Sequence, residues 1–68
     1  MELLVNGKMT PCMDGATLSE LLATLEIGPE TTGVAVAVND AVVARSRWGE
    51  TRLARGDRVE VIHAVQGG

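Results

Sequence analysis

The segment from residue 33 to residue 39, Gly-Val-Ala-Val-Ala-Val-Asn, most constrains the fold of this chain. In an extended strand successive side chains point to opposite faces, so the valines would share one face and Ala35 and Ala37 the other. Both faces are apolar, which is expected of a strand in the middle of a sheet. The valine face needs a covering layer from the same chain, whereas the flat alanine face is available to a partner protein.

One short helix is predicted to cover the valine face. Thr17-Leu18-Ser19-Glu20 is a capping box, in which the threonine hydroxyl and the glutamate carboxylate each accept a backbone N–H of the first turn. Gly28-Pro29 is expected to stop the helix after about ten residues, with Gly28 in the left-handed conformation. Four leucines in between have the spacing of one apolar helix stripe: Leu18, Leu21, Leu22 and Leu25.

Four further strands are predicted from turn residues and apolar runs. Asn6-Gly7 is typical of a two-residue hairpin, because both turn positions need a positive φ. It would join a first strand, residues 3–5, to a returning strand, residues 8–12. Asn39-Asp40 is predicted to turn into a short strand, residues 41–44, and residues 58–65 form the last strand.

The resulting order is strand, strand, helix, strand, short strand, strand, which indicates an α+β fold. The last strand most simply lies parallel to the first, in the centre of a mixed sheet with one helix packed across one face. This is the ubiquitin-like β-grasp arrangement. Residues 1–65 are assigned to this domain and residues 66–68 to a flexible C-terminal diglycine tail.

Composition excludes several classes of function. A 68-residue domain buries only ~60% of the surface of its unfolded chain, which leaves no room for a core plus an enclosed substrate pocket and argues against an autonomous enzyme. A net charge of −3 argues against nucleic-acid binding. No signal peptide or membrane-spanning stretch is evident, and Cys12 is the only cysteine. We therefore expect a cytoplasmic location, without membrane association.

A docking face for partner proteins is predicted on the side of the sheet away from the helix. If the valines of the last strand face the helix, four small or aliphatic residues share the open side: Ala35, Ala37, Ile62 and Ala64. Exposed apolar patches on small domains often mark interaction sites. Five arginines crowd into residues 45–58, and the first two, Arg45 and Arg47, are expected to flank this face.

The sequence ends in Gly67-Gly68, directly after the last predicted strand. Glycine has no Cβ, so the pair can thread a narrow channel, and an extended tail reaches on the order of 10 Å beyond the sheet. If the terminal carboxylate is the working group, Gly68 carries the chemistry, while Gly67 and Gln66 form its stem. The alternative is a chance occurrence or a cloning remnant.

Cys12 and His63 are interpreted as structural residues. Cys12 has no histidine or cation nearby in sequence and is expected to be a small, half-buried hydrophobe. His63 lies within the last predicted strand, and a single histidine without matching cysteines predicts no metal site.

Six short motifs run along the whole chain in order: Val5-Asn6-Gly7, Thr17-Leu18-x-x-Leu21-Leu22, Val36-Ala37-Val38-Asn39, Val43-x-Arg45-x-x-Trp48, Gly56-Asp57-x-Val59-Glu60-Val61 and Val65-Gln66-Gly67-Gly68. No single motif is specific, but their order and spacing in a chain of this length are. Together they resemble the ThiS family, the ubiquitin-like sulfur carriers of bacterial thiamin biosynthesis.

The resemblance implies a carrier that is a substrate of other enzymes rather than a catalyst. A ubiquitin-activating-like adenylyltransferase would use ATP and Mg to adenylate the Gly68 carboxylate. A persulfide donor would then convert the adenylate to a thiocarboxylate, and thiazole synthase would take the sulfur. The chain itself would bind no cofactor or metal and would be a monomer when free.

Three alternatives stay open at this point. The small subunit of molybdopterin synthase also ends in diglycine, but that family is somewhat longer and carries aromatic and proline residues before the tail, whereas this chain has no Phe. A ubiquitin-like protein modifier would form isopeptide bonds through Gly68. A plain binding module would have a passive tail, and its deletion would leave activity unchanged.

Overall fold

A computed structural model describes residues 1–64 of the chain, and residues 65–68 lie outside the described part. Within it the elements follow the predicted order, with a 3-10 helix added before the last strand. Their bounds are β1 Glu2–Val5, β2 Lys8–Pro11, α1 Leu18–Thr24, β3 Val34–Val38, β4 Ala41–Val42, the 3-10 helix Arg45–Glu50 and β5 Arg58–His63.

The strands form one mixed sheet in the order β2-β1-β5-β3-β4. β5 lies in the centre, parallel to β1 and antiparallel to β3. Both hairpins turn on residues with positive φ, Asn6 at 50° and Gly7 at 79° in the first, and Asn39 at 50° and Asp40 at 72° in the second. The predicted hairpin turns and the central, parallel position of the last strand are therefore confirmed.

The capping box at the start of α1 is also confirmed. The Glu20 N–H donates to the Thr17 hydroxyl at 3.2 Å, and the Thr17 N–H donates to the Glu20 carboxylate at 2.8 Å. The backbone hydrogen bond from Thr17, followed by the one from its hydroxyl, lowers the pKa of Glu20 below its ordinary value of 4.5. The ionised carboxylate therefore contributes to the stability of the folded state.

The variant Glu20→Gln is expected to be less stable than the wild type at neutral pH, and the difference should vanish in acid. A carboxyl whose pKa is depressed by folding stabilises the native state above its unfolded pKa, and this contribution is lost as the pH falls through the folded pKa. Glutamine keeps a capping side chain without the charge. Urea unfolding from neutral pH to about pH 3 measures the effect. The account would be contradicted if the difference in unfolding free energy between Glu20→Gln and the wild type did not change with pH. It would also be contradicted if the control Glu50→Gln showed the same pH-dependent difference.

The end of α1 differs from the prediction. The helix has seven residues, and Glu26 rather than Gly28 adopts the left-handed conformation, with φ of 62°. The Ile27 N–H donates to the Leu22 carbonyl at 2.9 Å and the Glu26 N–H to the Ala23 carbonyl at 3.0 Å, which is a Schellman motif. Ile27 is buried, so packing of this side chain against the core fixes the end of the helix before the glycine is reached.

The core lies between α1 and the sheet face that carries the valines of β3. Val36 is fully buried, and Val34 and Val38 pack against the core beside it, as predicted. Trp48 of the 3-10 helix closes one edge of the core: it is 3% exposed, and its Nε1–H donates to the Val43 carbonyl at 3.1 Å. Neither helix within residues 1–64 is long and apolar enough to cross a membrane.

Candidate functional site

The sheet face turned away from α1, called the open face below, is largely apolar. Strand alternation places Ala35 and Ala37 there, because the intervening Val36 is buried. Ile62 lies directly opposite Ala35 in the β3–β5 ladder and is 58% exposed. The structure therefore brings these three predicted residues together on one solvent-facing surface.

Ala64 extends this surface past the end of β5. It is exposed, and its N–H donates to the Gly33 carbonyl at 2.7 Å, so the ladder between the two strands continues by one more pair. The four apolar residues predicted for the docking face thus form one continuous strip along β3 and β5: Ala35, Ala37, Ile62 and Ala64.

The position predicted for Arg45 is wrong. The 3-10 helix packs against α1, on the other side of the sheet from the open face. The Arg45 guanidinium donates to the carbonyls of Pro29 at 2.9 Å and Val34 at 3.3 Å and lies 4.8 Å from the centre of the Trp48 ring. These contacts hold Arg45 in a structural role. Arg47 is exposed on the same 3-10 helix, and its place beside the open face stays a prediction.

Three apolar residues of the open face were missing from the sequence-based set: Leu4, Met9 and Val42. Register places them there, because Leu4 pairs with Met9 across the first hairpin and Val42 pairs with Ala37 across the second. Met9 is 58% and Val42 is 78% exposed. The signal was available in the sequence, since a two-residue hairpin fixes which side chains lie opposite each other.

Two turn residues fix the position of β5 in the sheet. The Asn6 Oδ1 accepts the Val61 N–H at 2.8 Å, and the Asn39 Oδ1 accepts the Arg58 N–H at 2.9 Å. Each hairpin thus holds one part of the strand that leads towards the C-terminus. Both hairpin turns therefore fix where β5 lies within the open face.

Cys12 and His63 occupy the positions predicted for them. Cys12 is half-buried, and it packs against the core. His63 is an exposed residue at the end of β5. Among residues 1–64 no three potential metal ligands lie close enough together to hold an ion. The predicted sulfur-carrying residue Gly68 and its stem, Gly67 and Gln66, lie outside the described residues.

Comparison with known proteins agrees with this fold and with the motifs. The ThiS family model matches residues 3–68. The sulfur carrier protein ThiS of Escherichia coli is 31% identical over 68 residues, which is all of both chains. A crystal structure of a thiamine biosynthesis protein (ThiS) from Geobacter metallireducens superimposes with a TM-score of 0.83 and 31% identity, covering 100% of each chain.

One relative is much longer. A thiazole synthase from Magnetococcus marinus is 40% identical over 68 residues, and this chain spans only 20% of its length.

These matches confirm the β-grasp fold and the role of a carrier rather than a catalyst. They also favour the thiamin pathway over the molybdopterin alternative, because the two relatives matched over their full length are named as ThiS, one as a sulfur carrier and one as a thiamine biosynthesis protein. On the agreement of motifs, topology and full-length similarity, the chain belongs to the ThiS family of sulfur carrier proteins of thiamin biosynthesis.

Proposed function

We propose that this chain carries sulfur as a thiocarboxylate on Gly68 and delivers it for thiazole formation. The observation that carries the proposal is the family match through residues 3–68, which includes the diglycine as well as the folded domain. A carboxylate is a poor electrophile and carries no sulfur. A thiocarboxylate is a softer and stronger nucleophile, so conversion of this one group turns an inert terminus into a sulfur donor.

A ubiquitin-activating-like adenylyltransferase supplies the energy for that conversion. The Gly68 carboxylate attacks the α-phosphate of ATP held with Mg on the partner, and pyrophosphate leaves. A persulfide sulfur then attacks the acyl carbon and displaces AMP, and a thiol cleaves the resulting acyl disulfide to release the thiocarboxylate. The chain itself binds neither ATP nor metal in this scheme, which suits a domain of this size.

The open face is the proposed docking surface for the activating enzyme and for thiazole synthase. Its exposed apolar residues and its position beside β5 support this role, because a partner bound there lies next to the strand that leads to the tail. A role for thiazole synthase is supported by the Magnetococcus marinus protein of that name, which contains a segment similar to this whole chain. We also propose that the free carrier is a cytoplasmic monomer.

Intact-protein mass spectrometry tests the proposed chemistry. The chain is incubated with ATP, magnesium, the adenylyltransferase of its host and a persulfide source. We expect a mass increase equal to the exchange of one oxygen for sulfur, absent from a matched chain that lacks Gly68. An unchanged mass in the presence of an active adenylyltransferase would refute the carrier chemistry and leave a passive binding module.

A further inference from the structure

Glu60 is an acidic residue of the open face, on the central strand β5. It lies on β5 between Arg58 and Ile62 and directly opposite Ala37 in the β3–β5 ladder. It is exposed, while the flanking Val59 and Val61 are buried on the helix side. Its side chain therefore projects from the same surface that is proposed to dock partners.

No counter-ion for Glu60 is found among the described residues. Arg58, two residues earlier on the same strand, is paired with the Asp40 carboxylate at 2.9 Å. The other ion pair within residues 1–64 joins the Met1 ammonium to Asp14. Within residues 1–64, the Glu60 carboxylate is therefore exposed to solvent and forms no ion pair.

A shallow hollow of about 190 Å³ lies next to this carboxylate. It is lined by Leu4, Gly7, Arg58, Val59 and Glu60. The hollow is smaller than the ~300–1,000 Å³ of typical small-molecule sites, so its size fits the end of one protein side chain rather than a substrate.

We infer that this hollow receives a lysine or arginine side chain of thiazole synthase, which pairs with Glu60 when the open face docks. Docking on the surrounding apolar residues removes water from the face, and a carboxylate that loses its water without gaining a cation is strongly unfavourable. The stem of a long cationic side chain can lie on Leu4 while its head reaches the carboxylate. The partner surface is therefore apolar with one central cation.

This inference rests on the proposed function, and the choice of partner follows from the Magnetococcus marinus relative. In that protein a segment 40% identical to this chain belongs to the same polypeptide as a thiazole synthase. A carrier unit and a thiazole synthase that share one chain are held at a high local concentration of each other, which favours direct docking.

The test is the affinity of the full chain for the thiazole synthase of its own organism, measured by calorimetry at several salt concentrations. We expect Glu60→Gln to weaken binding at least about tenfold and to reduce its salt dependence, because one charge pair is lost. Glu60→Lys should weaken binding about a hundredfold or more through repulsion. The control is Glu50→Gln, which removes the same charge from an exposed residue of the 3-10 helix, on the α1 side of the sheet.

Circular dichroism of each variant verifies that the domain remains folded, as expected for changes at exposed positions. If Glu60→Gln bound with the affinity and salt dependence of the wild type, the inference would be overturned. The proposed carrier chemistry would be unaffected, because the mass shift on Gly68 tests it in a separate experiment. A wild-type chain that acquires sulfur but does not bind the synthase at all would overturn the inference together with the proposed delivery step.

Discussion

Replacing Ile62 with glutamate is expected to abolish binding to the partner enzymes while the domain stays folded. Ile62 is 58% exposed, and it lies opposite Ala35 outside the core, so the change should alter the free energy of unfolding by no more than about 0.5 kcal/mol. In the complex the new carboxylate would be buried against an apolar partner surface and would lie two residues from Glu60. We expect the dissociation constant to rise more than about a hundredfold, since an unpaired or like charge in an interface costs several kcal/mol.

Ala35→Glu provides an independent test, because it adds the same group on β3 at an exposed position of the same surface. Met13→Glu is the matched control: Met13 is 82% exposed but lies in the connection before α1, outside the strands. Affinities for the adenylyltransferase and thiazole synthase are measured by calorimetry, and folding by circular dichroism. If both face variants bound as well as Met13→Glu, the open face would not be the docking surface.

The sheet could be predicted from the sequence because its turns are specified by local chemistry. The turn residues Asn6-Gly7 and Asn39-Asp40 all have positive φ, a conformation that Asn, Asp and Gly tolerate better than other residues. Each two-residue turn then fixes the register of its hairpin. The alternation of valine and alanine in β3 identified the face that meets the helix. Once β5 is placed in the centre, the same alternation puts Ile62 on the open face.

Features that depend on distant contacts were not predictable in this way. The left-handed conformation of Glu26 is unfavourable for a residue with a side chain, and it is selected because Ile27 must reach the core. The position of Arg45 depends on carbonyl groups 11 and 16 residues earlier in the chain. Charge clustering in the sequence carries no information about such partners, so the arginine was assigned to the wrong side of the sheet.

Replacing Trp48 with alanine is expected to remove most of the stability of the domain. The ring is 3% exposed, packs in the core and lies under the Arg45 guanidinium, so the change leaves a large cavity and loses a cation–π contact. Loss of a buried tryptophan costs about 3–5 kcal/mol, against a total of roughly 3–10 kcal/mol for a domain of this length. We expect a chain that is largely unfolded or unfolds at low urea concentration.

Circular dichroism must report this unfolding, because Trp48 is the only aromatic residue and its fluorescence is lost with it. Trp48→Phe should retain part of the stability, since an aromatic ring still fills some of the space and can still face Arg45. A loss below about 1 kcal/mol in Trp48→Ala would show that the 3-10 helix is not part of the cooperative core. Both Trp48→Ala and Ile62→Glu should lose partner binding, but only the first should do so by unfolding. This difference separates a core residue that keeps the domain folded from a surface residue that contacts the partner.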